Sequence, residues 1–269
     1  MAVVPFARPG STAAASAANP ADADAMNSVI GKTRLIIEAF TADDDTLSLA
    51  ELVRRSGVPK ASVHRIAQEL LDWGVLERAG NPYRLGLRLF EIGQRVPRQR
   101  SLREAAHPYM EDLLLATQET VHFAIHDGLE VLYVEKLVVH RGMKKESRIA
   151  GRLPLHCTAT GKVILAFSPP ELLQDVLRDG LTALTRKTVT QPGRLRQQIE
   201  QSRAEHLAVE VEETRLGYMS AAVPVFGNDD MLVGALSITA PTFRMNLGRF
   251  AGGLRTAANG ISRSLQSPS

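Results

Sequence analysis

"GVPKASVHRIAQELLDWGVLE", residues 57–77, is the stretch on which the reading of this chain turns. It opens with Gly57 and Pro59 and closes around Gly74. Between them Val63, Ile66, Ala67, Leu70 and Leu71 follow the i, i+3, i+4, i+7, i+8 spacing of a helix with one buried side. Pro59 suits the first turn of that helix, where a missing N–H costs nothing. The other side then carries Ala61, Arg65 and Gln68, with Lys60, Ser62 and His64 near its N-terminal edge. Such a basic face is either an ordinary solvated surface or a reading surface, and its neighbours decide between the two.

Upstream, "SVIGKTRLIIEAF" (28–40) places Val29, Leu35, Ile36 and Phe40 at helical spacing. "LSLAELVRRSG" (47–57) adds a second helix, with Ser48 as N-cap, Glu51 as its capping-box partner and Gly57 as its stop. Downstream, "VLERAGNPYRLGLRL" (75–89) alternates around a Gly-Asn-Pro turn, the pattern of a β-hairpin. Three helices, a short glycine turn and a hairpin make a winged helix-turn-helix. In that motif the second helix enters the major groove and its N-terminal residues reach base edges. Arg65 can fork two hydrogen bonds to guanine, and Lys60 and Ser62 suit phosphate or base contacts. The expected DNA-facing set is Lys60, Ser62, His64, Arg65 and Gln68, with Arg55 from the preceding helix and Arg78 and Arg84 flanking the hairpin. From Arg54 to Arg65 there is no acidic residue, so positive charge is concentrated there. The partner this implies is double-stranded operator DNA.

The remaining chain divides by its grammar. Residues 1–25 are alanine-rich and broken by Pro5, Pro9, Gly10 and Pro20, which reads as a disordered tail. They lack the basic start and unbroken apolar core of a secretory signal, and no apolar run approaches a membrane span, so a cytoplasmic protein without membrane association is expected. Residues 26–88 form the winged helix-turn-helix and 89–103 a linker carrying Arg95, Arg98, Arg100 and Arg103 around Pro97. Residues 104–266 form a second domain, whose first helix is read over Leu102–Thr117. There "VHFAIHDGLEVLYVEKL" (121–137) and "GYMSAAVPVFGNDDMLVGALSIT" (217–239) read as strand pairs, with proline-opened helices between them and a last helix over 242–265. The fold class is therefore α+β, with an antiparallel sheet covered by helices.

Composition sets bounds on function. The chain has 269 residues, 44% of them hydrophobic, and a net charge of only +3, so charge distribution rather than total charge must argue for nucleic acid. Its single cysteine, Cys157, excludes an internal disulfide and fits a reducing compartment. His156 and Cys157 are adjacent, and on an extended chain they point to opposite sides and cannot pair as base and nucleophile. His122 and His126 lie on an alternating segment with no carboxylate or thiolate motif to complete a metal site. No phosphate loop, dinucleotide fingerprint or nucleophile elbow is present, so neither an enzyme nor a cofactor is expected. Lys144, Lys145, Arg148 and Arg152 read as a solvated basic loop, with Arg152 near enough to the second domain's polar segment to attract an anion.

From Ser28 to Leu265 the sequence resembles the IclR family of bacterial transcription regulators. The resemblance rests on "LSLAELVRRSGVPKASVHRIAQELLDWGVLERAGNPYRLGLRL", "GRLPLHCTATGKVILA" and "LGYMSAAVPVFGNDDMLVGALSITAP", in that order. It implies a winged helix-turn-helix followed by a GAF-like effector-binding domain, self-association to a dimer or tetramer on operator DNA, and control of catabolic genes by a small organic or aromatic acid. It also implies a pocket with three walls: Leu153 to Gly161, Glu210 to Ser220, and Ser237 to Thr239. The residues agree in part, because Ser237 and Thr239 share one strand face while Leu236 and Ile238 share the other. Thr158, Ala159, Thr160 and Gly161 stand at the start of the helix "GKVILAF", and a helix N-terminus favours an anion. Leu153 and Met219 are expected to contact the apolar body of the ligand, and Glu210, Ser220, Ser237 and Thr239 its polar groups. Many relatives have an aspartate in place of Glu210, and some a cysteine in place of Ser220. The alternative is a DNA-binding regulator whose second domain is purely structural or oligomerising.

Overall fold

A computed structural model of the chain describes residues 28–41, 43–139 and 149–266. The expected N-terminal tail lies outside the described residues, as do Lys144, Lys145 and Arg148 of the basic loop. The chain separates into two compact units between Val96 and Pro97.

In the first unit, α1 (Val29–Glu38), α2 (Leu49–Ser56) and α3 (Lys60–Asp72) precede the hairpin strands β1 (Leu76–Arg78) and β2 (Tyr83–Leu85), followed by α4 (Leu87–Gly93). The apolar stripes read from the sequence converge. Ile36 and Phe40, Leu52, and Val63, Ile66, Ala67 and Leu70 form one core with Val75, Leu76 and Tyr83. Burying each aliphatic side chain contributes about 1.5–3 kcal/mol, enough to hold three short helices that would not persist alone. Ser48 caps α2, its hydroxyl accepting from the Glu51 N–H at 3.2 Å. The capping box is only half made, because the Glu51 carboxylate turns instead to Arg54 and Arg55. Gly57 ends α2 at φ +67°, the left-handed conformation that glycine adopts without strain and that sets the turn into α3. Pro59 stands one position earlier than expected, as the N-cap of α3 rather than inside its first turn. Leu47 forms a single antiparallel bridge to Tyr83 at the edge of the two-stranded wing.

The expected linker is helical over most of its length. Helix α4 ends at Gly93, and α5 (Pro97–Thr117) begins at Pro97, five residues ahead of the first apolar position read from the sequence. Pro97 starts a helix because its fixed φ and missing N–H cost nothing at a first position.

The second unit is a six-stranded antiparallel sheet of order β5-β4-β3-β8-β7-β6. Its strands are β3 (Thr120–Asp127), β4 (Glu130–Leu137), β5 (Arg152–Pro154), β6 (Ala208–Val211), β7 (Tyr218–Phe226) and β8 (Leu232–Pro241). One face packs on α5 and α9 (Leu247–Gln266), through Ala106, Met110, Leu254 and Ile261 against Phe123, Val223, Leu236 and Ile238. The other face packs on α6 (Ala159–Phe167), α7 (Pro170–Asp179) and α8 (Pro192–Glu205), through Val163, Ile164, Val176, Leu195 and Ile199. His156 and Cys157 sit in a 3-10 turn, not on the extended chain expected, yet they still turn to different partners. His156 Nε2 meets the Thr182 carbonyl, and the Cys157 thiol lies 3.7 Å from the Pro154 carbonyl. No helix among the described residues is long and apolar enough to cross a membrane.

Candidate functional site

Two sets of residues follow from this architecture. The first is the outward face of α3. Val63, Ile66, Ala67 and Leu70 anchor the helix, so Lys60, Ala61, His64, Arg65 and Gln68 are exposed and Ser62 is half-buried. Arg65 and Glu69 form an exposed i, i+4 ion pair at 2.8 Å, and the Gln68 amide donates to Asp72 at 3.3 Å. An exposed pair of this kind contributes at most about 1 kcal/mol, so DNA can draw Arg65 away at little cost. On the wing, Arg78 stacks 4.1 Å from the Tyr83 ring and donates to the Asn81 carbonyl, while Arg84 pairs with Glu77 at 2.7 Å.

Arg55 is held quite differently. Its guanidinium donates to both Asp44 oxygens, to Glu51 and to the Ala39 carbonyl, tying the end of α1 and the following loop to α2. Bonds from Arg55, and then from Thr41, hold the Asp44 carboxyl far below the usual carboxylate range. The sequence reading placed Arg55 among the DNA contacts. The structure commits it to an internal clamp, because Asp44 is brought to it by a loop whose path local pattern does not reveal.

The second set lies on the sheet face beneath α6. Cross-strand register aligns Thr120 on β3, Thr239 on β8, Ser220 on β7 and Glu210 on β6 in one row. Ser220 Oγ donates to Glu210 Oε1 at 2.9 Å and lies 2.9 Å from Thr239 Oγ1. A hydroxyl has one proton, so Thr239 must be the donor to Ser220, and the chain runs Thr239 to Ser220 to Glu210. Glu210 also accepts from the Glu213 N–H at 2.9 Å and from the Thr214 hydroxyl at 3.2 Å. Burial raises its pKa, against the lowering effect of these bonds. One step along the strands, Ser237 is buried between Ala222 and His122. Across from the sheet, the Thr160 hydroxyl of α6 is buried and makes no hydrogen bond of full geometry, with the Tyr133 phenol as its polar neighbour.

Three expected ligand contacts are placed otherwise. The Thr158 hydroxyl caps α6, accepting from the Gly161 N–H at 2.9 Å and donating to the Pro154 carbonyl at 3.2 Å. The Gly161 amide offered to a ligand carboxylate is therefore already taken. Gly161 is there for packing: a Cβ would stand 2.2 Å from the Leu155 carbonyl oxygen. Met219 lies on the opposite face from Ser220, because strand side chains alternate, and it is paired with Ala240 over the α5–α9 core. Leu153 is half-buried on β5 opposite Val131, on the α6 side. The amides of Ala159 and Thr160 open α6 and have no partner one turn back within it.

Lys162 and Tyr133 are members of this cluster that the sequence does not single out, and His122, Cys157 and Glu213 take parts in it other than those expected. Lys162 and Glu213 form a fully buried ion pair, and Glu213 also accepts from the Val189 N–H at 3.1 Å. Tyr133 and His122 stack with ring centroids 5.0 Å apart. Burial, then Lys136, holds the His122 imidazole down at about 3. Burial pushes the Cys157 thiol up to about 12, which keeps it protonated and unreactive. An outward-pointing strand side chain and a buried one look alike in an isolated segment, so only Lys162, the one charged residue of a mostly apolar helix, left a visible signal.

A helix that bares basic N-terminal residues beside a wing defines the class of DNA-binding regulators. Comparison with known proteins narrows that class. Residues 29–80 match the IclR helix-turn-helix domain, and residues 94–263 match the bacterial transcriptional regulator IclR C-terminal domain. The chain belongs to the IclR family and is a DNA-binding transcriptional regulator of that type. The transcriptional regulator KdgR of Escherichia coli is 31% identical over 89% of this chain and 92% of its own length. XynR of the same organism is 30% identical over 87% and 95%. Both are HTH-type transcriptional regulators. An IclR homolog from Microbacterium hydrocarbonoxydans, crystallised with 4-hydroxybenzoate, superposes with a TM-score of 0.84 at 29% identity, covering 88% of this chain and 99% of that one. The IclR of Thermotoga maritima gives 0.73 at 26% identity, covering 91% and 100%.

Proposed function

We propose that this protein is a ligand-responsive regulator of catabolic genes, in which a small hydroxylated organic or aromatic acid binds beneath α6 and changes operator affinity. The observation that carries this reading is the polar row from Thr120 to Glu210, lying opposite the unsatisfied Thr160 hydroxyl. The ligand carboxylate is assigned to the Ala159 and Thr160 amides and the Ser237 hydroxyl, at a helix end that favours anions. Glu210 repels a carboxylate but accepts a hydroxyl, so a ligand bearing both groups at opposite ends fits best. That the Microbacterium homolog was crystallised with 4-hydroxybenzoate, which has both, supports the choice. Leu153 supplies apolar contact. Lys60, Ser62, His64, Arg65 and Gln68 face the operator, with Arg78 and Arg84 on the wing, and two copies read paired half-sites.

The competing reading, a structural second domain, draws on one fact: Thr239, Ser220 and Glu210 already satisfy each other. Calorimetry with hydroxy, keto and aromatic acids separates the two. The effector reading expects one acid to bind wild type and to lose about 1–3 kcal/mol of affinity in Ser237→Ala. The same acid must shift operator affinity. Failure of every acid to bind would favour the structural domain.

A further inference from the structure

At the free edge of the six-stranded sheet, α8 runs beside β6 and the 186–191 loop, and together they enclose a cleft of about 700 Å³. We propose that this cleft is a second ligand site, which binds a small polyanion carrying hydroxyl groups. It is separate from the polar row beneath α6 and stands whether or not that row binds an effector.

The charges on its walls are unequal in one respect. Arg186 and Lys187 from the loop and Arg194 from α8 line the cleft, and none forms an ion pair among the described residues. Other cations of the unit are bonded, Arg178 to Asp175, Arg203 to the Ala166 carbonyl and Arg255 to the Glu205 carbonyl, while Arg196, off the cleft on α8, forms no ion pair among the described residues and stands alone. The carboxylates lining the cleft are likewise supplied with donors. Glu213 has Lys162 and the Val189 N–H, Glu212 has the Gly217 N–H and Glu205 has the Gln201 amide. Lys162 neutralises Glu213, so three unpaired cations face the charges of Glu205 and Glu212 alone, and the surplus of positive charge around the concavity favours an anion.

Two further features act in the same direction. Helix α8 has no side-chain cap at Gln191 and no acidic residue in its first turn, so its N-terminal amides add positive potential beside Arg194. Gln198 lines the cleft, and its side-chain Oε1 is buried without a donor. A buried acceptor of this kind is satisfied by an O–H from the occupant, which a bare inorganic anion at neutral pH supplies poorly. Val209 and Val211 offer an apolar contact for a short carbon skeleton. The volume is within the range of small-molecule sites, about 300–1,000 Å³.

The cleft also touches the polar row. Thr188 on its wall donates to the Glu213 carbonyl at 2.7 Å, and the Glu213 N–H donates to Glu210.

Titration calorimetry of the full chain at low salt tests the site with inorganic phosphate, citrate and a sugar bisphosphate. Citrate or the bisphosphate should bind saturably and at least about tenfold more tightly than phosphate, and whichever does so identifies a polycarboxylate or a phosphate ester as the natural class. Arg186→Gln and Arg194→Gln should each weaken that ligand about tenfold. Arg196→Gln, on the same helix but off the cleft, should leave it unchanged, as should Ser237→Ala beneath α6. Gln198→Leu should weaken the hydroxylated ligand and not phosphate. Absence of saturable binding at millimolar concentration, or an equal loss in Arg196→Gln, would overturn the proposal. All these side chains except Gln198 and Ser237 are exposed, so their variants retain the fold.

Discussion

At the scale of single residues, the proposed DNA-facing surface assigns Lys60 a phosphate contact and Arg65 a base contact. Arg65 is held only by an exposed pair with Glu69, so its fork is available for a guanine edge. Arg65→Ala should cost about 1–3 kcal/mol at the cognate operator and relax specificity at one base pair. Lys60→Ala should weaken all sequences alike and reduce the salt slope of binding by about one. Footprinting of both variants over a salt series checks this, and unchanged affinity in both would remove α3 from the DNA interface. His122 makes a prediction of a different kind. Its folded pKa is depressed, so below the unfolded value near 6.5 the unfolded chain binds a proton that the folded chain refuses. The stability this represents is present above pH 6.5 and falls as pH drops towards 3, by up to about 2 kcal/mol between pH 6.5 and 5. His156, also depressed by burial, adds to the same trend. Urea unfolding across that window should show the decline, and a flat profile would mean that both imidazoles are solvated.

At the scale of elements, the start of α6 shows one short motif serving packing and binding together. Thr158 caps the helix and Gly161 lets Leu155 approach it, while the two amides between them are the ones the proposed function assigns to a ligand. Thr158→Ala should cost about 0.5–2 kcal/mol in unfolding free energy, the usual cost of losing a cap. Gly161→Ala should cost more, since the obstructing atoms are backbone and cannot swing aside. A denaturant midpoint that falls in the reverse order would contradict this division of roles. Of these residues, the cap and the glycine were legible as a helix start. Their assignment to ligand contact was not, because sequence position alone does not tell which hydrogen-bond partners are already taken.

At the scale of the whole molecule, one reading helix spans few base pairs, so the proposed reading of paired half-sites predicts two copies on the operator. Helix α4 leaves Leu87 71% and Phe90 64% exposed, and the prediction assigns this apolar face to the contact between copies. Analytical ultracentrifugation with operator DNA should show a dimer or tetramer for wild type and a shift towards monomer for the double variant Leu87→Ser and Phe90→Ser. A wild-type protein that remains a strict monomer would exclude paired half-site reading. Regulation adds a second requirement, because an acid that binds the DNA-competent and released forms equally shifts nothing. Operator affinity measured with and without the best acid tests that directly.

The sequence by itself determined the local elements and the faces they bury. The stripe from Val63 to Leu71, the Gly57 turn and the alternation on β7 and β8 are periodic, and periodicity is a property of neighbouring residues. It also placed Ser237 and Thr239 on one side and Leu236 and Ile238 on the other. Tertiary structure decided everything that depends on pairing across distance. Register joined Thr239, Ser220 and Glu210 into a directed chain, and alternation set Met219 away from them. A loop brought Asp44 to Arg55 and gave that cation an intramolecular partner. The buried pairing of Lys162 with Glu213 crosses from α6 to the segment after β6. The physical reason is the same in each case: hydrogen bonds and ion pairs act over a few ångströms in space, while sequence pattern reports only what lies within a few residues along the chain.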